Sequence, residues 1–551
     1  MNKFIGLTAA IAMVVSCTNG NSDNRKMEKK TDGLKRPNIL LVISDDQSYP
    51  HASAYGWDAV HTPAFDRIAE EGILFTNTFA QSPSCSPSRA SILTGRYPWQ
   101  IEEAGSHNSL FPARYAVYPD LLEQAGYLVG YDRKGWRPGD WEASGRTRNP
   151  AGDFYLAEGI YDSGYEANFA WFLEHREDGQ PFAFWYGANE PHRSYEKGSG
   201  LRHGKRLEDV DVPPFLPDTE VIRSDLLDYA LQIEGFDRRL GSLLAILEET
   251  GELDNTIIVV VSDQGMPFPR AKATLYEFGL HVPMAIRWGD KVKGNRIVDD
   301  LVGLIDLMPT FLEAANVAHP DETDGKYPMS GRSLMKILVS NESGIVDPSR
   351  NAVFAGSERH GSARWNNLGY PSRSVRTHDY HYIRNFKPER WPAGAPQRIN
   401  EDGSLGPMHG VERAESGELQ LVRNFAYTDI GDSPSKLFLI ENREHPEYGK
   451  YFDWAVGLRP AEELYDIKND PGCINNLAGE PAYHELLMEH RALLGAKLMT
   501  TNDPRVTGMG DIFESYPRMA WIGKYPIPEW AIEKYVWTSG YPIPKWAREQ
   551  L

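Results

Sequence analysis

Four short apolar runs, each breaking off into a loop of reactive polar residues, constrain this chain most. Asn38 to Ser44 (NILLVIS) runs into Asp45-Asp46, and Tyr127 to Tyr131 (YLVGY) into Asp132-Arg133-Lys134. Phe182 to Gly187 (FAFWYG) runs into Asn189-Glu190-Pro191-His192, and Ile257 to Ser262 (IIVVVS) into Asp263-Gln264-Gly265. Runs this short and this uniformly apolar read as strands buried on both faces, the pattern of a parallel sheet. Helical patterns lie between them, as in Thr62 to Glu71 and Ser224 to Thr250. The expected class is α/β, a large sheet covered by helices. Ligands of such sheets bind beyond the carboxyl ends of the strands. Here four strand ends deliver carboxylates, a lysine and a histidine to that edge. Polar residues commonly follow strands, but four chemically matched sets fit that habit poorly.

With 551 residues the chain exceeds one ordinary domain. The large α/β domain is expected over 37–347. Past Pro348 alternating and aromatic segments appear, namely Ser374-Val375-Arg376, His381 to Arg384 and Lys436 to Ile440. They predict a smaller C-terminal α+β domain over 348–500 with an antiparallel sheet, and one late helix near Ala482 to Met499. A C-terminal arm occupies 501–551. In it Tyr525-Pro526-Ile527-Pro528 recurs as Tyr541-Pro542-Ile543-Pro544; two copies do not make a solenoid.

Lys and Arg number 58 against 77 Asp and Glu, a net charge of −19. Nucleic acid is therefore not an expected partner, and an anionic substrate requires a locally basic pocket. Three cysteines exclude a disulfide framework. Cys17 closes a segment with Lys3 at its start and an apolar run from Phe4 to Val15, too short for a membrane span. The ending resembles a bacterial lipoprotein signal over 1–17, with Cys17 lipidated, followed by a polar tether over 18–36. An ordinary cleaved signal with an incidental cysteine is the alternative. The expectation is an exported bacterial lipoprotein, periplasmic or at the cell surface, held to a membrane through its N-terminal lipid.

The motif with most chemical content is Cys85-Ser86-Pro87-Ser88-Arg89. Pro87 suits the first turn of a helix running on through Ser88 to Arg96. Position 85 then lies at a helix N-terminus, where backbone N–H groups and the dipole favour an anion. A plain Cys85 thiolate there is expected to be activated.

With its surroundings this motif resembles the type I sulfatases. The match continues in order from Arg36 to about Ala478, through RPNILLVISDD, TPAFDRIAEEGILFTNTFA, Lys134, Pro191-His192, SDQG, LYEFGLHVP, DLMPT and ELYD. The resemblance implies an alkaline-phosphatase-like large mixed sheet sandwiched by helices. It also implies oxidation of Cys85 to formylglycine (3-oxoalanine) by a sulfatase-maturating enzyme. One hydroxyl of the hydrated aldehyde would attack sulfur, and the other would expel sulfate. Asp45, Asp46, Asp263 and Gln264 are hard oxygen donors. Together with residue 85 they match the family's single-cation site, usually Ca²⁺, with Mg²⁺ as the alternative. Arg89, Lys134 and Lys272 would clamp the sulfate oxygens, and His192 would protonate the leaving atom. The family commonly shows Gly-Lys-Trp-His where this chain has Arg133-Lys134-Gly135-Trp136, so the usual second histidine is missing. His107 is a substitute for it, although a surface histidine is the plainer reading.

Within the family, CSPSRAS, SDQGMPFPRAKATLYE, GSERH and YPSRSVRTHDYHYIRN resemble the heparan N-sulfatase branch, which includes bacterial sulfatases of algal polysaccharides such as ulvan. The implied substrate is a sulfated polysaccharide or its oligosaccharides. Nothing in the residues separates O-sulfate from N-sulfate. His192, Arg193, Glu358, Arg359, His360, Arg373 and Arg376 are candidates for reading sugar hydroxyls and carboxylates, with ordinary surface charge as the alternative. Two further classes remain open: a phosphomonoester or phosphonate hydrolase of the same superfamily, and a non-catalytic glycan-binding lipoprotein.

Overall fold

The computed structural model describes residues 36–156, 165–320, 327–398, 404–422 and 426–519. Cys17, the tether and both Tyr-Pro-Ile-Pro repeats lie outside them. Among the described residues no helix is long and apolar enough to cross a membrane.

Nine strands form the main sheet: β1 (Asn38–Ser44), β2 (Ile73–Phe79), β3 (Leu128–Arg133), β4 (Asp153–Phe154), β5 (Phe182–Gly187), β6 (Thr256–Ser262), β7 (His281–Arg287), β8 (Arg296–Val298) and β9 (Val302–Gly303). Their order is β8-β2-β7-β6-β1-β5-β3-β4, with β9 on β2. β1 pairs in parallel with β5 and β6, and β5 with β3. β7 runs antiparallel to both of its neighbours, β2 and β6, so the sheet is mixed. All four apolar runs read from the sequence are thus strands, and they are adjacent.

Alternation along β1 shows why both faces are buried. Ile39, Leu41 and Ile43 enter a core that includes Ile92 and Leu93, while Leu40 and Val42 enter another with Phe65, Phe236 and Leu240. Each such side chain contributes about 1.5–3 kcal/mol by leaving water. Helix α1 (Pro63–Glu71) and helix α3 (Glu220–Glu249) cover the second face; helix α2 (Cys85–Thr94) covers the first. Thr219 caps α3 by accepting the Ile222 N–H.

The second sheet is antiparallel, ordered β10 (Val353–Ser357), β11 (Ser372–Arg376), β12 (Tyr380–Asn385), β13 (Glu462–Asp466). Its core is shared with the large sheet's side of the molecule, for Tyr97, Trp99 and Ile305 pack with Phe354, Val375 and Leu464. Lys436 to Ile440 is not a strand. It lies in helix α4 (Pro434–Glu441), where Ser433 caps the N-terminus by accepting from Lys436 N and Pro434 occupies the first turn. A run of four apolar residues, Leu437 to Ile440, carries too little periodicity to separate the two states, and the cap decides. The late helix is α5 (His484–Thr500).

Candidate active site

Register brings the four strand ends into one row. Ser44 pairs with Ser262, Ile43 with Gly187, and Gly187 with Arg133. Asp45, Asp263, Lys134 and the loop carrying His192 therefore leave the sheet side by side. Backbone bonds lace these loops together: Asp45 N–H to Glu190 O (2.9 Å), Asp263 N–H to Ser44 O (3.1 Å) and Lys134 N–H to Gly187 O (2.9 Å). Gly187 is required at this crossing, since a Cβ there would lie 1.9 Å from Lys134 O and 2.8 Å from Arg89 Nη1. Asp46 turns back with φ 76°, a left-handed conformation that Asp tolerates, and its N–H donates to Asp263 Oδ1 at 3.2 Å.

Cys85 is the first residue of α2 and is buried at this row. Its Sγ donates to Asp45 Oδ1 at 3.4 Å and accepts from Gln264 Nε2 at 3.0 Å. Three carboxylates face three cations one to one. Lys134 pairs with Asp45, Lys272 with Asp46 (2.6 Å) and Arg89 with Asp263 (2.8 Å). His192 Nε2 lies 3.7 Å from Asp46 Oδ2, and its side chain is 42% exposed, so it stands at the mouth of the site. Arg89 also donates to Lys134 O at 2.6 Å, which leaves its buried Nη2 without a partner. Arg89 thus holds the Asp263 and Lys134 loops in place and has one N–H group left for an anion.

The titrations follow from this layout. Burial raises the Asp45 carboxyl, but Lys134, His192, Arg89 and Lys272 outweigh it and hold it far below the usual carboxylate range. Burial and the neighbouring Asp45 charge push Asp263 up to about 7. Burial, with Asp45 beside it, pushes the Cys85 thiol up to about 12. The expectation of an activated Cys85 thiolate is therefore corrected: at neutral pH the unmodified side chain is a neutral thiol, because burial and a carboxylate outweigh the helix N-terminus. For His192, Lys272 is the largest influence and lowers its pKa, burial adds to this, and Asp46 opposes both.

Carboxylate oxygens of Asp45, Asp46 and Asp263 all lie within 4.8 Å of one another. Gln264 donates through Nε2 to Asp46 while its buried Oε1 has no partner. Three carboxylates and one unspent amide oxygen make a hard-oxygen set that suits a divalent cation such as Ca²⁺ or Mg²⁺. Such an ion would keep Asp263 ionised.

The other predicted residues separate into two groups. His360 joins the site: its Nδ1 is 2.6 Å from Ser84 Oγ, next to Cys85. His107 is not a free surface histidine, for its ring stacks on His360 at 4.5 Å and its Nδ1 lies 2.9 Å from His360 O. Burial pushes His360 down to about 4. Trp136, in the place of the family's second histidine, is buried and donates from Nε1 to Ser86 O at 2.9 Å, pinning the start of α2.

Arg193, Glu358, Arg359, Arg373 and Arg376 do not line the cleft in the way expected. Arg193 is committed to Asp225 by two 2.8 Å bonds. Arg373 is committed to Asp503 (2.6 Å) and Glu358 (2.7 Å), and Glu358 also takes Arg505 (2.6 Å). Arg376 pairs with Glu277 (3.0 Å), and Arg359 donates to the carbonyls of Tyr516 and Pro517. All five are buried or nearly so and are held by partners inside the protein, with only Arg359 Nε left unpartnered. Sequence reasoning missed Ser84, although it adjoins the motif.

Comparisons with known proteins identify the family and the fold. The family described as "Sulfatase" matches residues 37–317, and "N-sulphoglucosamine sulphohydrolase, C-terminal" matches 270–392. An ulvan-active sulfatase of Formosa agariphila is 26% identical over 89% of this chain and 80% of its own length. The N-sulphoglucosamine sulphohydrolase of Homo sapiens is 27% identical over 87% of this chain and 93% of its own. A solved structure holding its substrate D-glucosamine-2-N,6-O-disulfate superposes with a TM-score of 0.57 at 22% identity, over 85% of this chain and 99% of that one. That last likeness is one of fold.

Proposed function

The chain belongs to the sulfatase family, and from that premise we propose that it removes sulfate groups from a sulfated polysaccharide or its oligosaccharides, using Cys85 matured to formylglycine beside a bound Ca²⁺. The observation that carries this reading is the buried Cys85 at a helix start, in contact with Asp45 and Gln264 and ringed by three carboxylates and three cations. A neutral, buried thiol is a poor nucleophile, so the site needs residue 85 in another form.

As a hydrated aldehyde, residue 85 would supply one hydroxyl for attack on sulfur and a second for release of sulfate. Asp45, Asp46, Asp263 and Gln264 would hold Ca²⁺, which would supply positive charge to stabilise the anionic reacting group. Lys134 and Lys272 hold the sulfate oxygens and neutralise charge as the sulfur–oxygen bond to the sugar breaks. Arg89 fixes Asp263 and the Lys134 loop, keeping these groups in place for reaction. His192, at the mouth, gives its proton to the departing sugar oxygen. His107 and His360 stack together beside Ser84 and can relay the hydrate proton through it.

A second reading, cleavage of N-sulfoglucosamine, is favoured by the match over 270–392; the departing atom is then nitrogen. We also infer export and lipid anchoring at Cys17, with a maturating enzyme as a partner. Cys17→Ala would then shift the protein from the membrane fraction to the soluble one.

The test is a sulfate-release screen on oligosaccharides from ulvan, heparan, carrageenan and fucoidan, together with intact-mass analysis of the same protein. Release is expected from at least one of them, with residue 85 lighter by the exchange of its thiol for an aldehyde oxygen. Active protein that retains an ordinary thiol would sink the mechanism. Fully matured protein that releases no sulfate would sink the activity.

A further inference from the structure

We propose that Arg518 is a specificity-determining residue, whose guanidinium binds a second anionic group, carboxylate or sulfate, on the saccharide next to the sulfate being removed. The proposal rests on the saccharide-sulfatase reading above.

The chain that carries Arg518 is fastened from both sides next to the His107–His360 pair. Arg359 donates to Tyr516 O at 2.9 Å and to Pro517 O at 3.1 Å. Opposite, Ser109 Oγ donates to Pro517 O at 3.1 Å and Met519 N–H donates to Asn108 O at 2.7 Å. Arg359 precedes His360, and Asn108 follows His107. The segment therefore passes over the stacked histidine pair, and His360 reaches Ser84, next to Cys85, at 2.6 Å. A methyl group on Gly361 would lie 3.6 Å from Arg518 Nη1, which places the guanidinium beside the backbone that follows His360.

This guanidinium is the least satisfied charge of its surroundings. Its Nε is buried without a partner, and among the described residues Arg518 forms no ion pair. The carboxylate that acts on it is Asp429. Both Asp429 oxygens are already engaged, Oδ1 by Gly361 N–H at 2.7 Å and Oδ2 by Arg364 at 2.8 Å. Nearby Arg359 has only main-chain carbonyls as acceptors, and burial and Arg518 push it down to about 10. Burial likewise pushes Arg518 down to about 10, so it is still a cation at neutral pH. A buried cation with unused donors is costly unless an anion completes it. The guanidinium fork suits a carboxylate or sulfate presented edge-on. In a chain of net charge −19, this local excess of arginine also gives a polyanionic saccharide an approach to the cleft.

The test uses the full, matured chain and its Arg518→Gln variant. Substrates are 4-nitrophenyl sulfate, which has no second anion, a sulfated uronate-containing disaccharide, its carboxyl-reduced form, and its form lacking the non-scissile sulfate. The ratio of kcat/KM for the disaccharide to that for 4-nitrophenyl sulfate is expected to fall at least tenfold in Arg518→Gln, through KM. Whichever depleted disaccharide shows the same deficit with wild type, and no further loss with the variant, identifies the anion. Arg518→Lys keeps the charge without the fork and is expected to restore part of the ratio. An unchanged ratio in a saccharide-active enzyme overturns this proposal alone. A wild type that cleaves 4-nitrophenyl sulfate but no saccharide overturns the substrate reading, and this proposal with it.

Discussion

At the strand ends Asp45, Asp46 and Asp263 face Lys134, Lys272 and Arg89; beside the second sheet Glu358, Asp503 and Glu514 face Arg373, Arg505 and Arg390. Both clusters are buried, and both contain the residue types that suggest a site. The second is closed: Glu358 takes two arginines, Asp503 takes Arg373 and the Arg505 N–H, and Glu514 takes Arg390 and the Gly369 N–H. None of its six members has a buried atom left over. The first is open, with Gln264 Oε1 and Arg89 Nη2 unpartnered around Cys85. Unspent valence, more than charge or burial, separates a site from a brace.

The contrast is sharpest at Cys85. Cys85→Ala is expected to lower sulfate release at least about 10⁴-fold, since alanine offers no heteroatom at which the aldehyde can form. The melting temperature should change little, because the methyl group fits the space of the thiol and the Asp45 and Gln264 partners keep their bonds to Lys134 and Asp46. Residual release near the wild-type rate would break the comparison at its centre. Arg373→Met is the opposite case. It strands Asp503 and part of Glu358, and removal of one partner from a buried pair costs about 3–5 kcal/mol. Denaturant melts should show that loss, while kcat/KM per folded molecule holds. Lost activity with intact stability would return Arg373 to the substrate pocket.

The open cluster was legible in the sequence because each of its strands announces itself and because the row of strand ends is the default ligand edge of such a sheet. The register that sets Asp45 against Asp263 needed only the two apolar runs to pair in parallel. Arg193, Glu358, Arg359 and Arg373 looked equally suited, since a sequence displays charge but not partners. Arg373 finds Asp503 130 residues away. Arg518 was invisible for the same reason, as it acquires meaning only where its segment crosses His107 and His360. Helix α4 was misread because its four apolar residues, Leu437 to Ile440, fit a strand as well as a helix.

Acid should separate the regions further. Burial sets the folded pKa of His360 near 4, below the value of 6.5 of a free imidazole. The unfolded chain therefore takes up this proton first as pH falls. The contribution of His360 is complete above pH 6.5 and is lost between 6.5 and 4, with a ceiling of roughly 3 kcal/mol. Asp45, whose folded pKa is depressed, keeps its contribution until pH falls below about 3.8. Melting temperature against pH for wild type and His360→Gln should diverge only below 6.5. Parallel curves would show that His360 is not held neutral by the fold.

A chelator should act on the open cluster alone. A cation present at a hundred times its Kd contributes about 2.7 kcal/mol, so removal of Ca²⁺ should lower the melting temperature of wild type and of Arg373→Met equally. An unshifted wild type would leave the three carboxylates without their proposed ion.

Gln264 gives the smallest effect and the finest discrimination. Its Nε2 bridges Asp46 and Cys85 while Oε1 is idle. If the bridge were its whole purpose, Gln264→Leu would take one hydrogen bond each from Asp46 and Cys85 and lower stability without cation, leaving Ca²⁺ affinity alone. If Oε1 is a ligand, turning the amide places it among Asp45, Asp46 and Asp263, and its removal weakens the ion without touching the three charges that supply most of the attraction. The expected loss is then about tenfold in Kd, ~1.4 kcal/mol, read as a shift in the Ca²⁺ dependence of the melting temperature. Stability in chelator should change less than stability in Ca²⁺, because the leucine relieves a buried unpaired oxygen when no ion is there to use it.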